Sequence, residues 1–346
     1  MLLRNYLPPL KLGAKVLPSE IAGFGWTTGN VYYVIKKTET YFSKFLKDYQ
    51  CTYSDSSKAV CIDEGGTTTS STTAALNTGI QDALDKCVAN RNDYVLIMPS
   101  LADYDIGAAL TMSKKCVHLI CPGGLGYSVG ATNAARIHQL ADDTIIDMSA
   151  AACEVAGLYF KNYVKQYAID ASIYATVYAT NIHHNFFSIT MTSTDGLPLI
   201  GSSIATANQQ DQYSYGRIER NKFLTVAGTG TLAKVIDVSQ FAVGCDICYN
   251  DITTHSTMTI TVGIYNYSVG GHTDFNTFGA SGGTNAAQGG VITNGLDISV
   301  SGNAIGNRGA IAGAGLVAGG TADNSFCDNR SATDATLVTA SGEVQA

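Results

Sequence analysis

Charge is what this chain has least of. Asp, Glu, Lys and Arg together make up 14% of its 346 residues, against about 25% in an average soluble domain. The solvated surface must therefore be largely Ser, Thr, Asn and Gly. Lysine stops altogether at Lys234. Residues 1–58 hold eight Lys or Arg against four acids, a net of +4, which leaves −11 on the remainder to give the total of −7. An acidic body repels phosphates and the basic end is too sparse for a nucleic-acid arm, so nucleic acid is excluded as a partner. Proline is scarce at 6 residues against 36 Gly, which suits many tight corners joined by unbroken strands. No apolar run reaches the length of a membrane span. The first residues, Met1 to Lys11, lack the apolar core and small-residue cleavage site of a signal peptide, so synthesis in a cytosol is expected. Nine Cys without regular spacing form no disulfide framework and read as small buried fillers.

What the chain does have is a phrase that returns: an apolar residue or Thr, two residues, Asn, one residue, then Phe or Ile. Its copies begin at Ile182, Ile218, Ile247, Thr273, Val300 and Thr321, with Asn at 185, 221, 250, 276, 303 and 324; a looser copy runs from Leu158 through Lys161 to Tyr163. Most intervals equal about one coil of a β-solenoid, and such a repeat decides the architecture before local propensity. The flanking apolar positions are five apart, which a straight strand would put on opposite faces. A turn at the Asn, which tolerates the left-handed conformation, restores the inward direction. Stacked corners would let the Asn side chains bond to one another from coil to coil.

Ahead of the repeat, residues 1–25 read as an irregular arm broken by Pro8, Pro9 and Pro18, and residues 30–35 as a strand. Tyr41 to Tyr49 has helical spacing, and residues 65–73 form a polar loop. Leu76, Ile80, Leu84, Cys87 and Val88 share one helical face, with Thr72 or Thr73 as N-cap. Strands follow at residues 94–98, 110–112 and 115–121.

That order of helix, strand ending in Pro99, short strand, and strand ending in Pro122-Gly123-Gly124 resembles the first coils of pectate-lyase-like right-handed parallel β-helix proteins, over about residues 72–330. The resemblance implies an all-β fold: a single-stranded right-handed parallel β-helix with an N-terminal capping α-helix and a small N-terminal adaptor. The expected division is 1–71 for a docking arm and adaptor, 72–330 for the solenoid and 331–346 for a tail or cap. Polysaccharide-cleaving members of this superfamily use clustered carboxylates along a groove. Gly216-Arg-Ile-Glu219 and Gly270-Gly-His-Thr273 are only fragments of their motifs, so no catalytic set is expected. Asp195, Glu219, Asp170 and Asp246, with Asp251, are the acids to which an enzymatic reading would fall back. Cys245 and Cys248 would face opposite sides of a strand, as would His183 and His184. No metal or other cofactor is therefore expected. The match at Gly313 to Ala318 to a dinucleotide fingerprint lacks its strand-turn-helix context. Phe186, Phe187, Phe223, Phe275 and Phe278 are expected to stack in the core.

With no complete catalytic set and a separate basic head, the chain resembles phage virion appendages: head decorations, fibres or tailspike-like proteins. That resemblance implies a non-enzymatic structural protein of the virion, made in the host cytoplasm. Its N-terminal segment would dock to phage capsid or tail proteins, and the helix would project as a homotrimer that could meet a host-surface glycan. The alternatives are a depolymerising tailspike, acting as polysaccharide lyase or glycoside hydrolase, and a secreted adhesin.

Overall fold

The computed structural model describes residues 29–35, 52–53, 60–63, 79–100, 102–122, 134–163, 167–172, 177–191, 197–204, 212–228, 230–238, 242–255, 259–281, 289–293, 296–305, 316–318, 325–327 and 329–331. The arm at 1–25, the helix expected at 41–49, the loop at 65–73, Thr72, Thr73, Leu76, Asp195 and Asn324 lie outside them.

Among the described residues every pairing between strands is parallel, and the strands form three sheets of 12, 9 and 8 members. From Asp93–Ile97 onward the chain visits them in fixed rotation. One turn takes Glu154–Ala156 in the first sheet, Leu158–Tyr163 in the second and Ile169–Ala171 in the third; the next takes Asn181–His183, Phe186–Met191 and Ile200–Gly201. Each strand pairs with its equivalent one turn away, as Val155 with Ile182 and Phe160 with Phe187. Stacked parallel sheets visited in rotation are compatible with a β-helix-like solenoid.

The inward positions make one apolar column. In the first sheet these are Val95, Leu119, Val155, Ile182, Ile218 and Ile247, all fully buried. In the second, Phe160, Phe187 and Phe223 stack with ring centroids 4.8 and 4.6 Å apart. At the N-terminal end the helix α1 (Gly79–Lys86) covers the column with Ile80, Ala83 and Leu84, while Val88, expected on that face, is exposed. Covering the first coil with a helix protects the end of the stack. Val31–Ile35 joins the first sheet directly, pairing with Asp93–Ile97. The buried Asp93 pins this junction, accepting from the amides of Asn30 and Val88 and from Nε and Nη2 of Arg91 at 2.6–2.7 Å.

The Asn ladder exists, with corrections to its geometry and register. Asn185, Asn221, Asn250, Asn276, Asn303 and Asn329 are all buried. From Asn221 on, each carboxamide oxygen accepts the main-chain N–H and the Nδ2–H of the rung before it, at 2.8–3.1 Å. Each Nδ2 also donates to a carbonyl of the preceding coil, as Asn221 to Ile182. The left-handed residue is not the Asn but the one before it: His184, Arg220, Tyr249, Phe275 and Gly302 have φ of 55–62°. The final rung is Asn329 rather than Asn324, because Phe326 pairs with Val300. The looser first copy is offset by three residues: Val155 pairs with Ile182, so Leu158 occupies the rung position and its amide donates to Asn185 Oδ1.

Candidate functional site

The left-handed residue changes which side chains face outward at this corner. Along 182–187 the buried residues are Ile182, Asn185, Phe186 and Phe187, whereas His183 and His184 are both part-exposed. An extended strand would point consecutive residues to opposite faces; at φ 55° His184 turns the chain so that its ring joins that of His183. The expected splitting of this pair across two faces is thereby overturned: the Nδ1 atoms are 2.7 Å apart, with the rings edge to face at 84°.

A carboxylate from the coil before holds this pair. Glu154 accepts from His183 Nε2 through Oε1 and from His118 Nδ1 through Oε2, each at 2.6 Å. His118 in turn stacks on Tyr94 with centroids 4.4 Å apart. Burial pushes the Glu154 carboxyl up, but the two imidazole hydrogen bonds outweigh it and hold the group at about 2. The carboxylate is therefore ionised throughout the neutral range. With His183 Nε2–H given to Glu154, a neutral His183 presents the lone pair of Nδ1 toward His184. Burial first, then the charges of His183 and Arg220, lower the pKa of His184 and favour its neutral form. In the following coil the equivalent outward pair is Glu219 and Arg220, Glu219 standing opposite His183 in the sheet. The Arg220 guanidinium lies over the ring of Tyr249, 5.5 Å from its centroid, one coil further on.

The other acids fall elsewhere. Glu219 and Asp246 share the outward face of the first sheet, where Asp246 pairs with Arg217 at 3.7 Å. Asp170 is in the third sheet, nearly buried, accepting from the Ser203 amide at 2.7 Å, and burial raises its pKa. Asp251 is in the second sheet, 3.5 Å from Lys222. The four of these acids among the described residues do not converge: Glu219 and Asp246 share a face of the first sheet, while Asp170 and Asp251 lie in the third and second. The third sheet carries two acids absent from that set. Asp147 pairs with Asp170, and Gly201 separates Asp170 from Asp237, whose pKa burial also raises.

A second charged cluster lies on the second sheet. Asp103 meets Arg136 and Lys161 at 2.8 and 2.7 Å, and Asp105 meets His138 at 2.8 Å. The ligand atoms of Asp103, Asp105 and His138 lie within 4.8 Å of one another, but Arg136 and Lys161 already neutralise Asp103.

Cys245 is in the core and Cys248 on the outward side, as their spacing implied; burial raises both thiols, Cys248 to about 11. Phe275 departs from the expected core stack. It is half exposed, stacked on Tyr249 at 5.1 Å, and its ring covers Gly302 so closely that an added Cβ would lie 2.6 Å from it. Both faces of this short stack are occupied, which leaves ring edges for solvent. Leu316–Ala318, the described part of the dinucleotide-like match, is a strand of the third sheet. Among the described residues no helix is long and apolar enough to cross a membrane. No family model, no curated protein and no solved structure matches the chain.

Proposed function

We propose that the chain is a right-handed single-stranded parallel β-helix serving as a non-enzymatic structural appendage of a phage particle. It docks to capsid or tail proteins through its N-terminal segment and projects as a homotrimer. The observation that carries the non-enzymatic reading is how its outward carboxylates are used. Asp103 with Arg136, Glu154 with His118 and His183, Asp246 with Arg217 and Asp251 with Lys222 each join neighbouring coils, and Lys161 reaches Asp103 from one coil further. Carboxylates committed to fastening one coil to the next are not free to serve as the acid and base of a hydrolytic pair.

A depolymerising tailspike is the second reading, favoured by Asp170 and Asp237. Burial raises both carboxyls, as a general acid requires. They stand two coils apart across Gly201, about 9–10 Å at the usual strand spacing, near the upper end of the separation used by inverting glycosidases. Incubation with capsular polysaccharides separates the two. The structural reading expects no oligosaccharide release from the wild-type chain. Release that disappears in Asp170→Asn or Asp237→Asn, with the fold intact, overturns it. Deletion of residues 1–25 is expected to abolish incorporation into particles, and undiminished incorporation removes the docking role.

A further inference from the structure

We propose that the Nδ1 atoms of His183 and His184 chelate a first-row divalent transition metal ion of the zinc class, with Glu219 from the next coil as the third ligand and Glu154 as the carboxylate that orients His183. Two imidazole nitrogens already face each other at 2.7 Å. Metal–nitrogen bonds of about 2.0–2.1 Å at angles between a right angle and tetrahedral need ligand nitrogens about 2.9–3.4 Å apart. The pair reaches that separation by opening a few tenths of an ångström, within the reach of small side-chain rotations.

The remaining features are those of a metal site and not of a chance pair. The bond from His183 Nε2 to Glu154 at 2.6 Å fixes the tautomer whose Nδ1 carries a lone pair, the role carboxylates have behind metal-bound histidines. That lone pair now accepts from His184 Nδ1–H, and the ion takes the place of this proton as His184 shifts to its Nε2–H tautomer. A second imidazole, His118, holds the other Glu154 oxygen, so the orienting carboxylate is itself fixed. Glu219 stands opposite His183 across adjacent strands, about 4.8 Å away in the backbone; its carboxylate is not at ligand distance from the two rings here and reaches the ion by a side-chain rotation. The nearest cation, Arg220, is held over the Tyr249 ring. Nitrogen donors select zinc-class ions over magnesium or calcium. The bound ion ties the 154, 183 and 219 coils at the corner where the Asn ladder begins.

Zinc binding to the full chain, measured by calorimetry at neutral pH, tests this. One equivalent is expected, with a rise in unfolding temperature that grows with zinc concentration. His184→Asn keeps a residue that tolerates the left-handed backbone and is expected to weaken binding at least tenfold. Glu154→Gln is expected to weaken it about 10–100-fold through loss of ring orientation. Copper(II) loaded below one equivalent gives an independent readout, an electron paramagnetic resonance spectrum with coupling to two nitrogens. Absence of zinc binding overturns the proposal. So does binding that survives His184→Asn but is lost in His138→Gln, which assigns the ion to the Asp103–Asp105 cluster.

Discussion

Between Asp93 and Leu158 the coils are joined by charge, whereas from Asn185 to Asn329 they are joined by a neutral amide ladder. In the first region the contacts are short and shielded: 2.6–2.8 Å at Glu154, Asp103 and Asp105, with carboxylates 14–21% exposed. In the second the described ion pairs between coils, Lys222–Asp251 and Arg217–Asp246, lengthen to 3.5 and 3.7 Å and open to water, while Lys234–Asp237 at 2.7 Å stays within one strand. There each rung satisfies buried main-chain and side-chain donors from the coil beside it. The two devices answer the same need, since parallel coils bury backbone groups at every corner and those groups must be paired. They differ in what breaks them. Amides do not titrate and are little affected by salt; carboxylate–imidazole and carboxylate–ammonium pairs respond to both.

The largest effect is expected inside the ladder. Asn221 is fully buried, accepts two bonds from Asn185, and donates to Ile182 O and Asn250 Oδ1. In Asn221→Ala the Asn185 amide and the Ile182 carbonyl lose their partners without gaining water. At about 1–3 kcal/mol for each of the two buried groups left unpaired, the loss comes to roughly 2–6 kcal/mol. Denaturant unfolding at neutral pH measures it. A loss under about 1 kcal/mol would show that the rungs decorate a stack held by its apolar column alone.

Acid should separate the two regions next. The Glu154 carboxyl lies at about 2 in the folded chain against an ordinary 4.5. A value depressed by folding gives stability that is complete above about pH 4.5 and is lost as the pH falls toward 2. The shift corresponds to at most about 3 kcal/mol. Hydrogen exchange of the coils flanking Glu154 is expected to accelerate across that window in the wild-type chain, while protection around Asn250 and Asn276 persists. In Glu154→Gln the pH dependence should flatten. Equal loss of protection in both regions would erase the contrast.

How much of this could be read from the residues depends on the same corner. The period, the cap helix, the inward Phe and Ile positions and the rung asparagines follow from spacing, because a coil has nearly constant length and its apolar column must repeat. Register failed where the repeat lost its Asn. At Leu158 an apolar residue fills the rung position, and at the last coil Asn324 competed with Asn329. The outward pair at His183 and His184 is hidden by a more instructive feature. Inward positions five apart already require two consecutive residues to face outward. Strict alternation fails at the histidines for the same reason that it fails between Ile182 and Phe187. Asp147, Asp237 and the Asp103 cluster gave no comparable signal, since their association depends on register between coils and not on any local motif.

The smallest effect tests the charged region away from the histidines. Lys161 reaches back two strands to Asp103, which Arg136 also holds, at 2.7 and 2.8 Å. Lys161 is 37% exposed, so solvent screens its pair and Arg136 retains the carboxylate when the lysine is removed. Lys161→Met preserves the aliphatic stem and is expected to cost under about 1 kcal/mol. Raising the salt to about 1 M, where the screening length shrinks to about 3 Å, should narrow the difference between variant and wild type further. Asn221→Ala should keep its deficit unchanged in the same salt. A salt-insensitive deficit at Lys161 would instead mean that its stem, packed along the second sheet, fastens these coils, and that the first region differs from the second in geometry more than in charge.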